Sequence, residues 1–132
     1  SLQTAKTSTN GVAVTADEQR FEQLILNVLE NSLAYTDAPG KITVSLSRTA
    51  TMAVISIDDT PPGVGNIDCE QLFDPLFREE ASRSRRTGGA GLGLAICRNI
   101  ATAHGGSIVA SPSALGGLNI RIELPLAREG AA

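Results

Sequence analysis

The spacing of the apolar residues changes from the helical period to a period of two near residue 40, and this change restricts the possible folds most. Over residues 21–33, apolar side chains recur at the i, i+3, i+4 and i+7 positions of an amphipathic helix. After a turn at residues 37–40, they alternate with polar residues over 42–46 and again over 52–57. The short connection at 48–51 predicts that these two strands pair as a hairpin.

The C-terminal part of the chain combines the same two types of element. Residues 92–104 form a second helical pattern, which Gly105 and Gly106 end. Two predicted strands follow at residues 108–110 and 118–124. Helices and strands are therefore mixed along the chain, and neighbouring strands can pair through short turns. This predicts an α/β two-layer sandwich rather than a doubly wound parallel sheet.

The ends of the first helix also have sequence signals. Thr15 and Glu18 have the spacing of a capping box, with Thr15 as the N-cap, and the helix is expected to end near Tyr35. The long stretch 58–91 has few periodic signals apart from a helix-like piece at about 70–77. Loops of that length inside a compact domain are usually functional or mobile.

Length and composition restrict the class of function. The chain of 132 residues suffices for one compact domain, placed here at residues 12–126 and beginning with a short strand at 12–14. Residues 1–11 are a polar lead or one edge strand, and residues 127–132 are expected to be disordered. The net charge of −3 and the supply of three Phe, one Tyr and no Trp argue against nucleic-acid binding. Two cysteines suit a reducing compartment, and no apolar run approaches the ~20 residues of a membrane helix, so we expect a soluble piece of a longer protein.

The stretch "RRTGGAGLGLAICRNI" at residues 85–100 places four glycines directly before a helical pattern. Such a cluster is either a hinge or a means of bringing backbone N–H groups close to a phosphate at a helix N-terminus. No lysine follows the glycines, as a P-loop requires, and no strand precedes them, as a dinucleotide fingerprint requires. A glycine-rich lid remains, with upstream arginines that either pair with phosphate oxygens or belong to a solvated basic loop.

Two other segments carry polar side chains that suit a nucleotide. Asn27 and Asn31 lie four residues apart, hence on one helix face. A carboxamide oxygen can ligate Mg²⁺ on phosphates, although asparagine can also be merely tolerated on a helix surface. The segment "DDTPPGV" at 58–64 places a carboxylate at the end of a strand, where it suits an exocyclic amine such as adenine N6. The same residues are also ordinary turn chemistry.

Taken in order, these segments resemble the ATP-binding catalytic domain of sensor histidine kinases, within the superfamily of gyrase, Hsp90, histidine kinase and MutL ATPases (GHKL). "QLILNVLENSLAYT" resembles the N box, "DTPPGV" the first glycine box, "LFDPLFRE" the F box and "GGAGLGLAICRNIATAHGG" the second glycine box. "GGLNIRIELPL" is similar to the closing strand of such domains. The resemblance covers about residues 12–126. The departure at Pro61, where the family has the first glycine of its box, resembles the BaeS-like subgroup of envelope-stress sensors.

The resemblance implies the Bergerat ATP-binding fold, with a mixed sheet of about five strands packed on about three helices and a mobile ATP lid. It implies ATP and Mg²⁺ as cofactors and transfer of the γ-phosphoryl group to a histidine on a separate dimerisation domain of the same kinase. A response-regulator receiver domain would act downstream. The isolated domain would be cytoplasmic and monomeric, and the full-length protein would be anchored in the inner membrane.

The resemblance also assigns the catalytic and metal-binding roles. Asn31 would ligate Mg²⁺, and Asn27, one turn earlier, would contribute on the phosphate side. Arg78, Arg83 or Arg85 would approach the phosphates. Superfamily members that hydrolyse ATP carry a Glu at the position of Asn27, so we expect slow hydrolysis by this chain.

The remaining roles concern the base and the lid. Asp59, rather than Asp58, would bind the adenine amine, because Gly63 and Val64 then fall in register, and Tyr35 would pack against the adenine. Phe73 and Phe77 would anchor the lid. The lid turn and the N-terminus of the second helix would supply the remaining nucleotide-binding residues, Gly89, Ala90, Gly91, Leu92, Gly93 and Leu94.

Three departures from the family pattern affect the expected binding strength. Ala34 stands where a basic residue is common, Pro61 replaces the first glycine of its box, and Ala90 replaces Thr or Ser. Together they would weaken nucleotide binding by about 1–3 kcal/mol, if each lost hydrogen bond has a typical net value. These departures leave open a catalytically weak nucleotide-binding regulatory module as one alternative. A serine kinase of the anti-sigma type on the same fold is another. His104, at a predicted helix end, is interpreted as a capping or packing group.

Overall fold

The computed structural model describes residues 2–6, 12–34, 39–60, 69–74 and 93–127. Within these ranges, two helices pack against one face of a β-sheet. The elements in chain order are β1 Leu2–Lys6, β2 Ala13–Asp17, α1 Glu18–Ala34, β3 Ile42–Arg48, β4 Met52–Asp59, a 3₁₀ turn Cys69–Phe73, α2 Gly93–Ala103, β5 Ser107–Pro112 and β6 Leu118–Pro125.

The main sheet has the strand order β3-β4-β6-β5, and every neighbouring pair is antiparallel. Strands β1 and β2 form a separate antiparallel pair. The predicted two-layer α/β sandwich is confirmed, as are the hairpin β3-β4 and the two C-terminal strands. We expected a mixed sheet of about five strands on about three helices. In the described part, the main sheet has four antiparallel strands, β1 and β2 form a separate pair, and two α-helices pack against the main sheet. Short turns join β3 to β4 and β5 to β6, and such turns connect only antiparallel neighbours.

Alternation along the strands separates an apolar inner face from a polar outer face. Ile57 of β4 and Ile120 and Ile122 of β6 are fully buried on the inner face, against side chains of both helices. On the outer face, Asp58 Oδ1 accepts hydrogen bonds from Ser113 Oγ at 2.7 Å and from Asn119 Nδ2 at 3.0 Å. Because successive strand residues point to opposite faces, the inner face is the one that receives the side chain of the next residue, Asp59.

The C-terminal helix is tied to α1 in the core and, through the residue that follows it, to the end of β2 at an edge. In the core, Cys97 of α2 donates its Sγ–H to the Leu24 carbonyl of α1 at 3.5 Å. At the edge, His104 Nε2 accepts the Asp17 N–H at 3.2 Å, and Nδ1 lies 2.9 Å from the Ile100 carbonyl oxygen. Both ring nitrogens are therefore engaged within the fold, in agreement with a capping and packing role for His104.

Helix α1 begins two residues later than the capping box predicts, at Glu18. Its N-cap is Asp17, whose Oδ1 accepts the backbone N–H groups of Gln19 at 3.1 Å and Arg20 at 3.2 Å. Thr15 lies instead within β2, opposite Thr4 of β1. The predicted cap at Thr15 is wrong, because pairing with β1 keeps the chain extended as far as Asp17. Of the two interpretations of residues 1–11, the structure shows a strand over Leu2–Lys6.

Asp17→Ala should destabilise the domain, whereas Thr15→Ala should not. Loss of an N-cap side chain typically costs about 1 kcal/mol, because two backbone N–H groups lose their acceptor. Thr15 is exposed on a strand and caps nothing. Urea unfolding of both variants measures the difference. A larger loss of unfolding free energy for Thr15→Ala would contradict the assignment of the cap.

Some of the remaining predicted segments lie within the described residues and others lie partly outside them. The second helix spans Gly93–Ala103, close to the predicted 92–104. The helix-like piece predicted at about 70–77 contains the 3₁₀ turn Cys69–Phe73, and its last residues lie outside the described ranges. Residues 128–132 of the tail that was predicted to be disordered, 127–132, also lie outside the described ranges. Within the described part of the chain, no helix is long and apolar enough to span a membrane.

Candidate functional site

Asp59 is the last residue of β4 and is fully buried. The turn that leads into β6 holds it from one side. The Gly117 N–H donates to the Asp59 carbonyl oxygen at 3.1 Å, and the Leu118 N–H donates to Asp59 Oδ1 at 2.8 Å. The second carboxylate oxygen, Oδ2, has no hydrogen-bond partner among the described residues. One oxygen of a buried carboxylate is therefore left as an acceptor for another donor.

Burial is the main cause that raises the pKa of Asp59 above its ordinary value, and the charge of Asp58 adds to the rise. The Leu118 N–H and the nearby Ser32 side chain act in the opposite direction. The Ser32 hydroxyl lies close to Asp59, yet it completes no hydrogen bond of good geometry in the described structure. The carboxylate is thus poorly compensated in its present surroundings, and a ligand N–H on Oδ2 would stabilise its charged form.

Asn31 and Ser32 bring further unpartnered polar atoms to the C-terminal end of α1. Asn31 is 1% exposed and Ser32 is 0% exposed. Among the described residues, neither the amide nitrogen nor the amide oxygen of Asn31 has a hydrogen-bond partner, and neither does Ser32 Oγ. Within the described ranges, every buried side-chain nitrogen or oxygen without a partner belongs to Asn31, Ser32 or Asp59. Native proteins rarely leave such atoms unsatisfied, so their concentration in these three residues indicates a ligand site.

Asn27 lies one turn before Asn31 on α1 and is half-buried. Gly93 is the first residue of α2, and Leu94, the next, is fully buried in the hydrophobic core. The Leu94 side chain therefore packs the core. Phe73 is also buried, at the end of the 3₁₀ turn.

The other predicted site residues lie outside the described ranges, and the structure does not address their roles. They are Tyr35, Gly63, Val64, Phe77, Arg78, Arg83, Arg85, Gly89, Ala90, Gly91 and Leu92.

Arg98 has a structural role that the sequence analysis missed. Its guanidinium pairs with both carboxylate oxygens of Glu70, and its Nη2 donates to the Ile108 carbonyl oxygen at 2.9 Å. The same group stacks 3.8 Å above the centroid of the Phe73 ring. The hydrogen bonds from Arg98 lower the pKa of Glu70. Arg98 thus links α2 to the 3₁₀ turn and to β5, although in sequence it resembles any solvated helix arginine.

Comparison with known proteins identifies the class to which this arrangement belongs. The family of histidine kinase-, DNA gyrase B- and HSP90-like ATPases matches residues 16–128. The chain therefore belongs to this ATPase family, and its described fold is that of the catalytic domains of histidine kinases.

The individual relatives are sensor kinases. The signal transduction histidine-protein kinase BaeS of Escherichia coli (strain K12) is 43% identical over 120 residues, which cover 91% of this chain and 26% of BaeS. The sensor histidine kinase RppB of Synechocystis is 37% identical over 90% of this chain and 26% of its own length. The chain thus spans about a quarter of the length of these curated relatives.

Solved structures show the same similarity. The catalytic domain of the histidine kinase ThkA superposes with a TM-score of 0.73 at 29% identity, covering 90% of this chain and 76% of that domain. Full-length ShkA in complex with AMPPNP gives a TM-score of 0.70 at 30% identity, covering 91% of this chain and 24% of ShkA.

Proposed function

We propose that this domain binds Mg-ATP and transfers the γ-phosphoryl group to a histidine on the dimerisation domain of the same kinase. A response-regulator receiver domain would then take the phosphoryl group from that histidine. The observation that carries the proposal is the concentration of unpartnered buried polar atoms in Asn31, Ser32 and Asp59, in a chain of an ATPase family.

The chemistry of these atoms suits the two ends of a nucleotide. Asp59 Oδ2 is an acceptor that has no donor in the part of the chain that the structure describes, and the exocyclic amine of adenine is such a donor. Asn31 Oδ1 is a hard oxygen ligand of the kind that Mg²⁺ accepts, and Mg²⁺ needs few protein ligands because it keeps several waters. When bound, Mg²⁺ would neutralise charge on the phosphate oxygens. Asn27 would lie on the phosphate side of Asn31.

The residues of α1 favour phosphotransfer over hydrolysis. Position 27 carries an amide, which cannot take a proton from an attacking water. Glu30 is exposed to solvent, whereas its neighbour Asn31 is buried, so the two side chains point in different directions. Phosphoryl transfer requires positioning and charge neutralisation more than a base on this domain. We therefore assign the acceptor group to another domain.

Three further parts of the proposal rest on family membership and sequence. The glycine-rich lid would bring Arg83 and Arg85 near the phosphates, and Tyr35 would pack against the adenine. The domain would act in the cytoplasm as a monomer when isolated. The full-length kinase would be anchored in the inner membrane.

Calorimetric titration with ATP, with and without Mg²⁺, tests the binding part of the proposal. Incubation with γ-labelled ATP and the dimerisation domain of the same kinase then tests transfer. We expect Mg²⁺-dependent binding and an acid-labile, base-stable phosphoryl group on the acceptor histidine. An acid-stable phosphoserine product would instead support the anti-sigma-type kinase. Absence of ATP binding by the folded domain would overturn the proposal.

A further inference from the structure

Gly117 approaches Asp59 too closely for any side chain to fit between them. A Cβ atom at residue 117 would overlap Asp59 Oδ1 and the Asp59 carbonyl oxygen, and it would lie 2.5 Å from the Thr60 carbonyl oxygen. Real Cβ atoms are essentially never found so close to oxygen atoms of the backbone. The requirement for glycine is therefore spatial. The preceding Gly116 differs, because its φ of 100° is the left-handed conformation that favours glycine.

The turn that contains Gly117 is tied to both neighbouring aspartates. On the outer side, Ser113 Oγ–H donates to Asp58 Oδ1 at 2.7 Å, and the Ser113 N–H donates to the Gly117 carbonyl oxygen at 2.9 Å. On the inner side, the N–H groups of Gly117 and Leu118 donate to Asp59. The turn is thus hydrogen-bonded to the end of β4 on both faces of the sheet. This close approach depends on the absence of a side chain at residue 117.

The hydrogen bond from Leu118 decides which carboxylate oxygen remains available. Since the Leu118 N–H occupies Oδ1, the side chain of Asp59 is held with Oδ2 as its unpartnered oxygen. An ionised carboxylate oxygen only accepts hydrogen bonds. It therefore favours a ligand that presents an N–H group and disfavours one that presents a carbonyl oxygen at the same place.

We propose that Gly117 is a positioning residue for base recognition: its bare backbone lets the turn close on Asp59, and this closure makes the site select 6-aminopurine over 6-oxopurine nucleotides. The inference rests on the proposed function, because it concerns the same nucleotide site. It adds that selectivity is imposed by the β5-β6 turn, which contributes no side chain to Asp59.

The test compares Gly117→Ala with Gly106→Ala. Gly106 is a matched control, because a Cβ there would also overlap backbone, at Glu123, and would crowd a Leu124 methyl group. Its register position lies at the opposite end of the β5-β6 pair from Gly117. Both variants should lose stability. ATP and inosine triphosphate, which differ at position 6 of the purine, are the two ligands, and calorimetry measures both dissociation constants.

We expect the unchanged domain and Gly106→Ala to prefer ATP by about 10–150-fold, the range expected for one hydrogen bond to a charged group. Gly117→Ala should lose at least tenfold of that preference, chiefly through weaker ATP binding. Equal weakening for both nucleotides, or a preference that stays intact, would overturn the positioning role. If the unchanged domain binds both nucleotides without preference, this inference fails while the proposed function stands. If it binds neither, the proposed function itself fails.

A second measurement does not depend on the folding of Gly117→Ala. In the unchanged domain, the Leu118 amide hydrogen should exchange with solvent far more slowly than the amide of Leu115, whose N–H donates to Ser113 Oγ at the exposed tip of the same turn. Addition of ATP should shift the Leu118 amide resonance, and addition of inorganic triphosphate alone should not. Rapid exchange at Leu118, or equal shifts with both ligands, would contradict the inference.

Discussion

Asp59→Asn should weaken ATP binding by about 10–150-fold, the loss expected when one hydrogen bond to a charged group, worth about 1.5–3 kcal/mol, is removed. The substitution preserves the shape of the side chain but replaces one oxygen by an NH₂ donor. If the amide oxygen keeps the Leu118 N–H, then the NH₂ group faces the adenine amine. In the other orientation, the NH₂ group faces the Leu118 N–H. Either orientation places two donors against each other.

Asp58→Asn is the matched control for this variant, because Asp58 is adjacent in sequence but lies on the outer face with Ser113 and Asn119. Calorimetric titration of both variants with Mg-ATP measures the difference. We expect Asp58→Asn to bind as the unchanged domain does. A stronger effect of Asp58→Asn would place the nucleotide elsewhere.

Asp59→Asn should also change the stability of the domain, by an amount that depends on pH. Burial raises the pKa of Asp59 in the folded domain above its unfolded value, so the folded state holds the proton more tightly. Folding therefore bears the full cost of the buried charge above the folded pKa, and that cost disappears as the pH falls towards the ordinary value of 3.8. Relative to Asp59→Asn, the nucleotide-free domain should become more stable as the pH falls through this window. Urea unfolding at several pH values measures this, and a difference that moves the other way would contradict the raised pKa.

Asn31→Leu should abolish the Mg²⁺ dependence of ATP binding and reduce phosphotransfer by about 100-fold, the upper range for disturbing a metal site. Its effect on the nucleotide-free domain should be small or favourable. Neither amide atom of Asn31 has a partner among the described residues, so leucine, which has the same branching and the same number of side-chain heavy atoms, removes no hydrogen bond. It would relieve about 1–3 kcal/mol of desolvation cost.

Asn99→Leu on the exposed face of α2 is the control, since it makes the same chemical change away from the site. Thermal unfolding and titration with and without Mg²⁺ separate the two effects. Strong destabilisation by Asn31→Leu, together with unchanged Mg²⁺ dependence, would mean that Asn31 is a structural residue.

Much of the fold follows from local periodicity. The helical spacing over residues 21–33 and the alternation over 42–46 and 52–57 predict α1, β3 and β4, because burial on one face of a regular element imposes its period on the sequence. The start of α1 does not follow in this way. Thr15 and Asp17 both satisfy the local rule for an N-cap, and the pairing of β2 with β1 decides between them.

The candidate site was predicted unevenly for the same reason. Asn31 and Asp59 belong to contiguous motifs that can be read from the chain. Ser32 and Gly117 could not be selected, since a serine in a helix and a glycine in a turn have many ordinary explanations. Leu118, which holds Asp59, is 59 positions away from it in the chain.

The sequence by itself determined the element types, the two-layer class and the family, because these depend on residue periods and on short motifs whose order is preserved along the chain. Only the tertiary structure decided which atoms of the site are left without partners. That outcome depends on how the end of β4 meets the turn before β6 and how Ser32 of α1 reaches Asp59. Arg98 and Glu70, 28 positions apart, illustrate the same point, because their pairing exists only once α2 has packed against the 3₁₀ turn. Contacts between distant segments form through packing of the whole core, which no local pattern encodes.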